Sequence, residues 1–184
     1  LLPGVAARLI VLGPLLRPLI QMHWASDIAK WSKIELEDEE LRRHLFGSER
    51  VAFPSELRDG LATLQDHRCF YCGSPLPKRV EIDHFLAWSR FPNDAIENLV
   101  AADRCNGAKS NHLAAAPHVE HWSDRIIDLA APLRSLATET QWSTNAARSR
   151  ALVKSTYGVL AVGTPLWSHD REFAAATGPV FVPG

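Results

Sequence analysis

Three cysteines confine what the middle of this chain can become. Cys69 and Cys72 form a C-x-x-C turn followed by Gly73, and Cys105 is the third and last cysteine among 184 residues. An odd cysteine count with a C-x-x-C turn suits a metal knuckle better than a disulfide framework, and it points to a reducing compartment. The cytoplasm is therefore the expected location. Gly73 lets the chain double back so that both thiols face one ion, and Cys105 can return as a third ligand. A tetrahedral zinc needs a fourth. Ala102, three positions before Cys105, has no ligand atom, which leaves Asp103 and His112 as the nearest side chains able to serve. The alternative is three small thiols packed in a core without metal.

The stretch between the cysteines changes period as it goes. Val80 to His84 alternates as a strand does, and Pro92, Asn93 and Asp94 make a loop. Leu99 to Ala102 is a second short apolar run, and Asn106 into Ala116 reads as a helix. The predicted order is strand, loop, strand, helix.

The flanks read as helical. Pro18 suits a first helical turn, and Ile20, Trp24, Ile28 and Trp31 recur on one stripe expected to be core. From Glu35 to Phe46 the acidic residues come first, with Arg42, Arg43 and His44 last before Gly47, an order that suits the helix dipole and a glycine C-cap. Ser55 is the expected cap of a third helix carrying Leu57, Leu61 and Leu64. Downstream, Ile126, Ile127, Leu129, Leu133 and Leu136 predict one helix and Ala146 to Tyr157 another, while the final Gly- and Pro-rich stretch reads as an irregular tail. The expected division is a helical scaffold over 1–67, a small core over 68–122, and a helical segment with that tail over 123–184. The fold class is α+β.

Composition narrows the function. Hydrophobic residues at 46% and charged residues at 22% are a globular balance, which excludes a disordered or collagen-like chain. With 20 Lys+Arg against 21 Asp+Glu the net charge is -1, so no global cationic field drives nucleic-acid binding and any such site must be a local patch. Arg8 and Arg17, with Gly13 and Pro14 between them, interrupt the apolar N-terminus well short of the roughly 20 residues a membrane span needs. Their placement does not suit a signal peptide either, and no membrane partner is expected. The chain opens on Leu1 rather than Met, as a fragment lacking its upstream part does.

Asp83 and His84 close the first predicted strand. Successive strand side chains point to opposite faces, so the pair serves one centre only if the chain bends, or if a metal recruits the carboxylate while the imidazole reaches a water. Asn106 opens the predicted helix, where its amide oxygen is either a hard-metal ligand or an N-cap. Taken singly, a His at a strand end and an Asn before a helix are ordinary structural residues. Trp88 reads as a buried loop anchor, and Trp24, Trp31, Trp122, Trp142 and Trp167 as core or domain contacts. Arg148, Arg150 and Lys154 with Tyr157 form either a basic strip that grips a duplex or a solvated helix face.

In order, the residues C-x2-C, D-H, N and C-N-x2-K fall within CFYCGSPLPKRVEIDHFLAWSRFPNDAIENLVAADRCNGAKSNH, from Cys69 to His112. This stretch resembles the HNH endonuclease family, nucleases of the ββα-metal or His-Me finger fold. The resemblance implies that His84 is the general base that deprotonates an attacking water; imidazole, with a reference pKa of about 6.5, has a neutral form available at pH 7. It implies that Asp83 and Asn106 hold one divalent ion, Mg²⁺ or Mn²⁺, between the scissile phosphate and the leaving 3′ oxygen. Asn98 would hold the loop and orient the His84 ring. Arg104 and Lys109 would contact phosphates, or else be solvated helix charges. Cys69, Cys72 and Cys105, with Asp103 as candidate fourth ligand, would make a structural zinc site in which the second cysteine pair of zinc-bearing members is incomplete. The implied activity is hydrolysis of double-stranded DNA to 5′-phosphate and 3′-hydroxyl ends. A different class fits the same residues: a non-catalytic, zinc-stabilised nucleic-acid-binding or adaptor module, in which Asp83 and Asn106 merely cap and turn the chain.

Overall fold

A computed structural model of the chain describes residues 52–182, together with Val5, Leu12, Leu16, Ile20, Gln21, His23, Trp24, Ser26, Asp27, Ile28 and Lys30. The chain divides into two units, Leu1–Val51 and Ala52–Gly184. In the first, all the described residues are helical; Ile20 and Trp24, expected in the core, are exposed, and Ile28 is half-buried. Trp31 and the helix expected over Glu35 to Phe46 lie outside the described residues.

The second unit mixes helices with two small antiparallel sheets, an α+β fold. Helix α1 (Ser55–Leu64) buries Leu57 and Leu61 completely, as their i, i+4 spacing predicts. Ser55 is not its cap. It is the first helical residue after Pro54, and its hydroxyl turns to the Glu56 carboxylate.

Strands β1 (Glu81–His84) and β2 (Leu99–Ala102) pair with Asp83 opposite Val100 and His84 opposite Leu99. A two-stranded sheet leaves an outer edge whose polar groups must be satisfied elsewhere. Here the Gln65 side chain, just past α1, pairs with both the carbonyl and the N–H of Ala101, and the Phe70 N–H also donates to that carbonyl. Arg125 donates to the Leu99 carbonyl at 3.0 Å. Groups from a helix end, a turn and a helix thus stand in for a further strand.

Helix α2 (Cys105–Lys109) is a short turn and a half, not a helix running into Ala116. Ser110 takes φ +49°, which breaks the helix, and Pro117 opens the first turn of α3 (Ala116–Asp128), where a missing N–H costs nothing. Where one helix was expected beyond Trp122, α3 is followed by α4 (Ala130–Glu139). Pro132 in the first turn of α4 would clash with the carbonyl four residues back, so the chain bends at Leu129. Helix α5 (Ala146–Tyr157) spans the predicted residues, with Asn145 capping the Arg148 N–H.

The C-terminal stretch is not irregular throughout. Strands β3 (Pro165–His169) and β4 (Glu172–Ala175) form a hairpin. Trp167, fully buried, pairs its backbone with Leu113 and Ala115 just after α2. Tyr157, expected on a basic strip, is equally buried and donates to the Ala114 carbonyl. Phe85 stacks on Trp122 at the centre of the core, at 5.2 Å between ring centroids.

Candidate active site and metal centre

The two candidate centres both draw on α2. At its start, the thiols of Cys69, Cys72 and Cys105 and a carboxylate oxygen of Asp103 lie within 4.8 Å of one another. The C-x-x-C turn forms because Gly73 adopts φ +68° and its N–H returns to the Cys69 carbonyl. The Phe70 N–H, bonded to Ala101, holds that turn against the end of β2, from which Asp103 and Cys105 follow directly. Asp103 Oδ1 also accepts the Cys105 N–H at 2.9 Å, so its carboxylate is aimed before any ion arrives. His112, the other candidate ligand, lies apart, edge-on to Phe173. Burial pushes the Cys69 thiol up to about 11 and Cys105 higher still. At Cys72, burial is outweighed by hydrogen bonds, chiefly from Ser74, and the thiol is held below its ordinary value. Three sulfurs and one carboxylate at this spacing can hold a metal ion, and thiolates favour a soft or borderline one.

The second centre lies along α2. Glu81 and Asp83, two apart on β1, share the strand face that meets the helix. Asp83 Oδ2 accepts the Lys109 ammonium at 2.8 Å and the Tyr71 hydroxyl at 2.5 Å. Asn106, three residues before Lys109 on α2, donates its amide to Glu81 at 2.9 Å. Burial, then the neighbouring Asp83 charge, pushes the Tyr71 phenol well up, so it stays a donor. Lys109 is entirely buried and also donates to the His84 carbonyl at 3.0 Å, so it is an internal ion-pair partner and reaches no phosphate. Arg104 is exposed, and with Arg171 it lines a surface groove of about 750 Å³ between α2 and the hairpin tip, shared with Asp170 and Glu172.

His84 ends β1, largely buried, with its Nε2 2.7 Å from Asp94 Oδ1 and its ring tilted against Phe53. Asn98, expected to hold the loop and orient that ring, is placed in the loop beside it. Its amide bridges the Leu86 N–H and carbonyl and donates to the Asn93 carbonyl, which clamps the loop from 86 to 93. Sequence reasoning missed Tyr71, Glu81 and Asp94. Tyr71 stands inside the C-x-x-C turn and Glu81 one strand period before Asp83, signals visible in retrospect. Asp94 had only its place in a turn.

Among the described residues no helix is long and apolar enough to cross a membrane. The chain is similar to the Type II-C Cas9 enzyme from Actinomyces naeslundii at 16% identity and a TM-score of 0.34, over 78% of this chain and 19% of that one. It therefore spans only a small part of that enzyme's length. No curated protein matches. Residues 69–115 match the model of the HNH endonuclease family, a stretch that includes both centres' Cys69, Cys72, Asp83, His84, Asn98, Asp103, Cys105 and Asn106.

Proposed function

We propose that the chain is a metal-dependent endonuclease that hydrolyses double-stranded DNA, leaving 5′-phosphate and 3′-hydroxyl ends. The observation that carries this reading is the family segment's Asp83-His84 pair at the end of β1, packed along the helix that carries Asn106. In this reading His84 takes the proton from the attacking water as general base. The donors suit a hard divalent ion such as Mg²⁺ or Mn²⁺. Tyr71 and Lys109 both use Oδ2 of Asp83, and Asn106 engages Glu81 through its nitrogen, so the ligand atoms on offer are carboxylate and amide oxygens. When bound by Asp83 and Asn106, the ion supplies Lewis-acid stabilisation of charge at the leaving oxygen. Arg104, across the groove from Arg171, contacts the phosphate backbone. Cys69, Cys72, Cys105 and Asp103 hold a structural zinc, which fixes the start of α2 and with it the placement of Asn106.

The test is plasmid nicking by the purified chain with Mg²⁺, Mn²⁺ or EDTA, beside His84→Ala. Metal-dependent nicking that falls by about 10²- to 10⁴-fold in the variant is expected. Undiminished cutting by His84→Ala refutes the assignment of the base. One observation favours the non-catalytic module as a second reading: the Lys109 ammonium already neutralises Asp83. Duplex binding by the folded chain with no cutting in either metal would select it.

A further inference from the structure

His84 has a ring partner that the family segment's motif letters do not name. Asp94 Oδ1 lies 2.7 Å from His84 Nε2. A carboxylate only accepts, so the proton of this contact sits on Nε2, and in the neutral ring the basic lone pair is then on Nδ1. An imidazole held by one carboxylate has both its tautomer and its plane decided for it, provided that the carboxylate itself cannot move.

Asp94 is held from two sides. On one, Asn98 takes the carbonyl of the preceding residue, Asn93. On the other, the Asp94 carbonyl accepts the Trp142 indole at 2.6 Å and the Ser143 hydroxyl at 3.1 Å. The buried Asn93 side chain donates to Ser149 on α5, and the buried Glu97 carboxylate accepts Thr144 and the Asn145 N–H. Phe53 packs against both the His84 and Trp142 rings, at 5.7 and 5.6 Å between centroids. The stretch from 142 to 149 lies far outside residues 69–115, yet it holds the loop that meets the imidazole.

We infer that Asp94 is a positioning residue for His84, accepting its Nε2 proton so that Nδ1 is the basic nitrogen, and that the segment from Trp142 to Ser149 holds Asp94 in place. The catalytic consequence rests on the reading of His84 as general base; the tautomer does not. Asp94→Asn keeps the size of the side chain but brings an amide that can donate to Nε2, which favours the opposite, Nδ1-protonated ring.

The experiment is long-range ¹H–¹⁵N correlation of the histidine side chains in the free chain, at a pH where the ring is neutral, with His84→Ala assigning the resonance. The expected wild-type signal is the Nε2–H tautomer, shifting to Nδ1–H or to a mixture in Asp94→Asn and to a mixture in Asp94→Ala. A wild-type ring in the Nδ1–H form overturns the inference, and so does a tautomer unchanged by either substitution. Should neither variant fold, the wild-type signal still decides. In nicking assays Asp94→Asn is expected to lose about 10²- to 10⁴-fold with duplex binding retained. A chain that never cuts DNA removes the nuclease reading, while the tautomer continues to decide the role of Asp94.

Discussion

Replacing Lys109 by Met tests how the centre beside α2 is held together. The Lys109 side chain is wholly buried and that of Asp83 is 8% exposed, so solvent screens neither charge. The substitution keeps the apolar stem and removes the ammonium, which leaves the Asp83 carboxylate with Tyr71 and the His84 carbonyl without its donor at 3.0 Å. Breaking a buried pair from one side typically costs about 3–5 kcal/mol, because an uncompensated charge stays behind. With a urea slope near 2 kcal/mol/M, the unfolding midpoint should fall by about 1.5–2.5 M. A divalent ion that uses Asp83 should then stabilise Lys109→Met more than the parent chain, since the vacated carboxylate has more to gain from a cation. Equilibrium urea unfolding with and without Mg²⁺ measures both effects. A midpoint loss under about 0.5 M would refute the claim that Lys109 is what neutralises Asp83, and equal Mg²⁺ stabilisation of the two chains would refute Asp83 as a ligand.

Metal analysis of the purified chain should find one zinc per chain, and Cys105→Ser should lose it together with several degrees of melting temperature; a chain that retains its zinc after this change does not bind it at the four-residue cluster. Trp167→Ala removes the buried indole that seats the hairpin against the segment after α2, at a cost of about 3–5 kcal/mol. Limited proteolysis should then cut between 163 and 178, and a protected hairpin would show that β3 and β4 are held by something else.

How much of this was legible in the sequence follows from how local each signal is. The two short strands and α5 appear where hydrophobic period and turn residues put them, because alternation and capping act over a few neighbours. Helix ends were less legible. Pro132 is a local mark that was overridden by the longer apolar stripe from Ile126 to Leu136 running through it, and Ser110 breaks α2 by a positive φ that no composition rule assigns to serine. The hairpin escaped notice because its strands are short and lie between Gly- and Pro-rich turns; they pair with each other, and the backbone bonds of Trp167 to Leu113 and Ala115 seat them on the rest of the unit.

The candidate site divides in the same way. Cys69, Cys72 and Cys105, with Asp103 nearby, could be read from a C-x-x-C turn and its spacing, and Asp83, His84, Asn98 and Asn106 from the family resemblance that their order carries. Their partners could not. That Lys109 is buried on Asp83, and that Asp94 holds His84 while Trp142 and Ser143 hold Asp94, depends on contacts between residues 10 to 49 positions apart. Such contacts exist only once the core has closed. Burial then decides whether a lysine is a solvated helix charge or the counter-ion of a carboxylate, because the same ammonium that water would screen at the surface must find a partner inside.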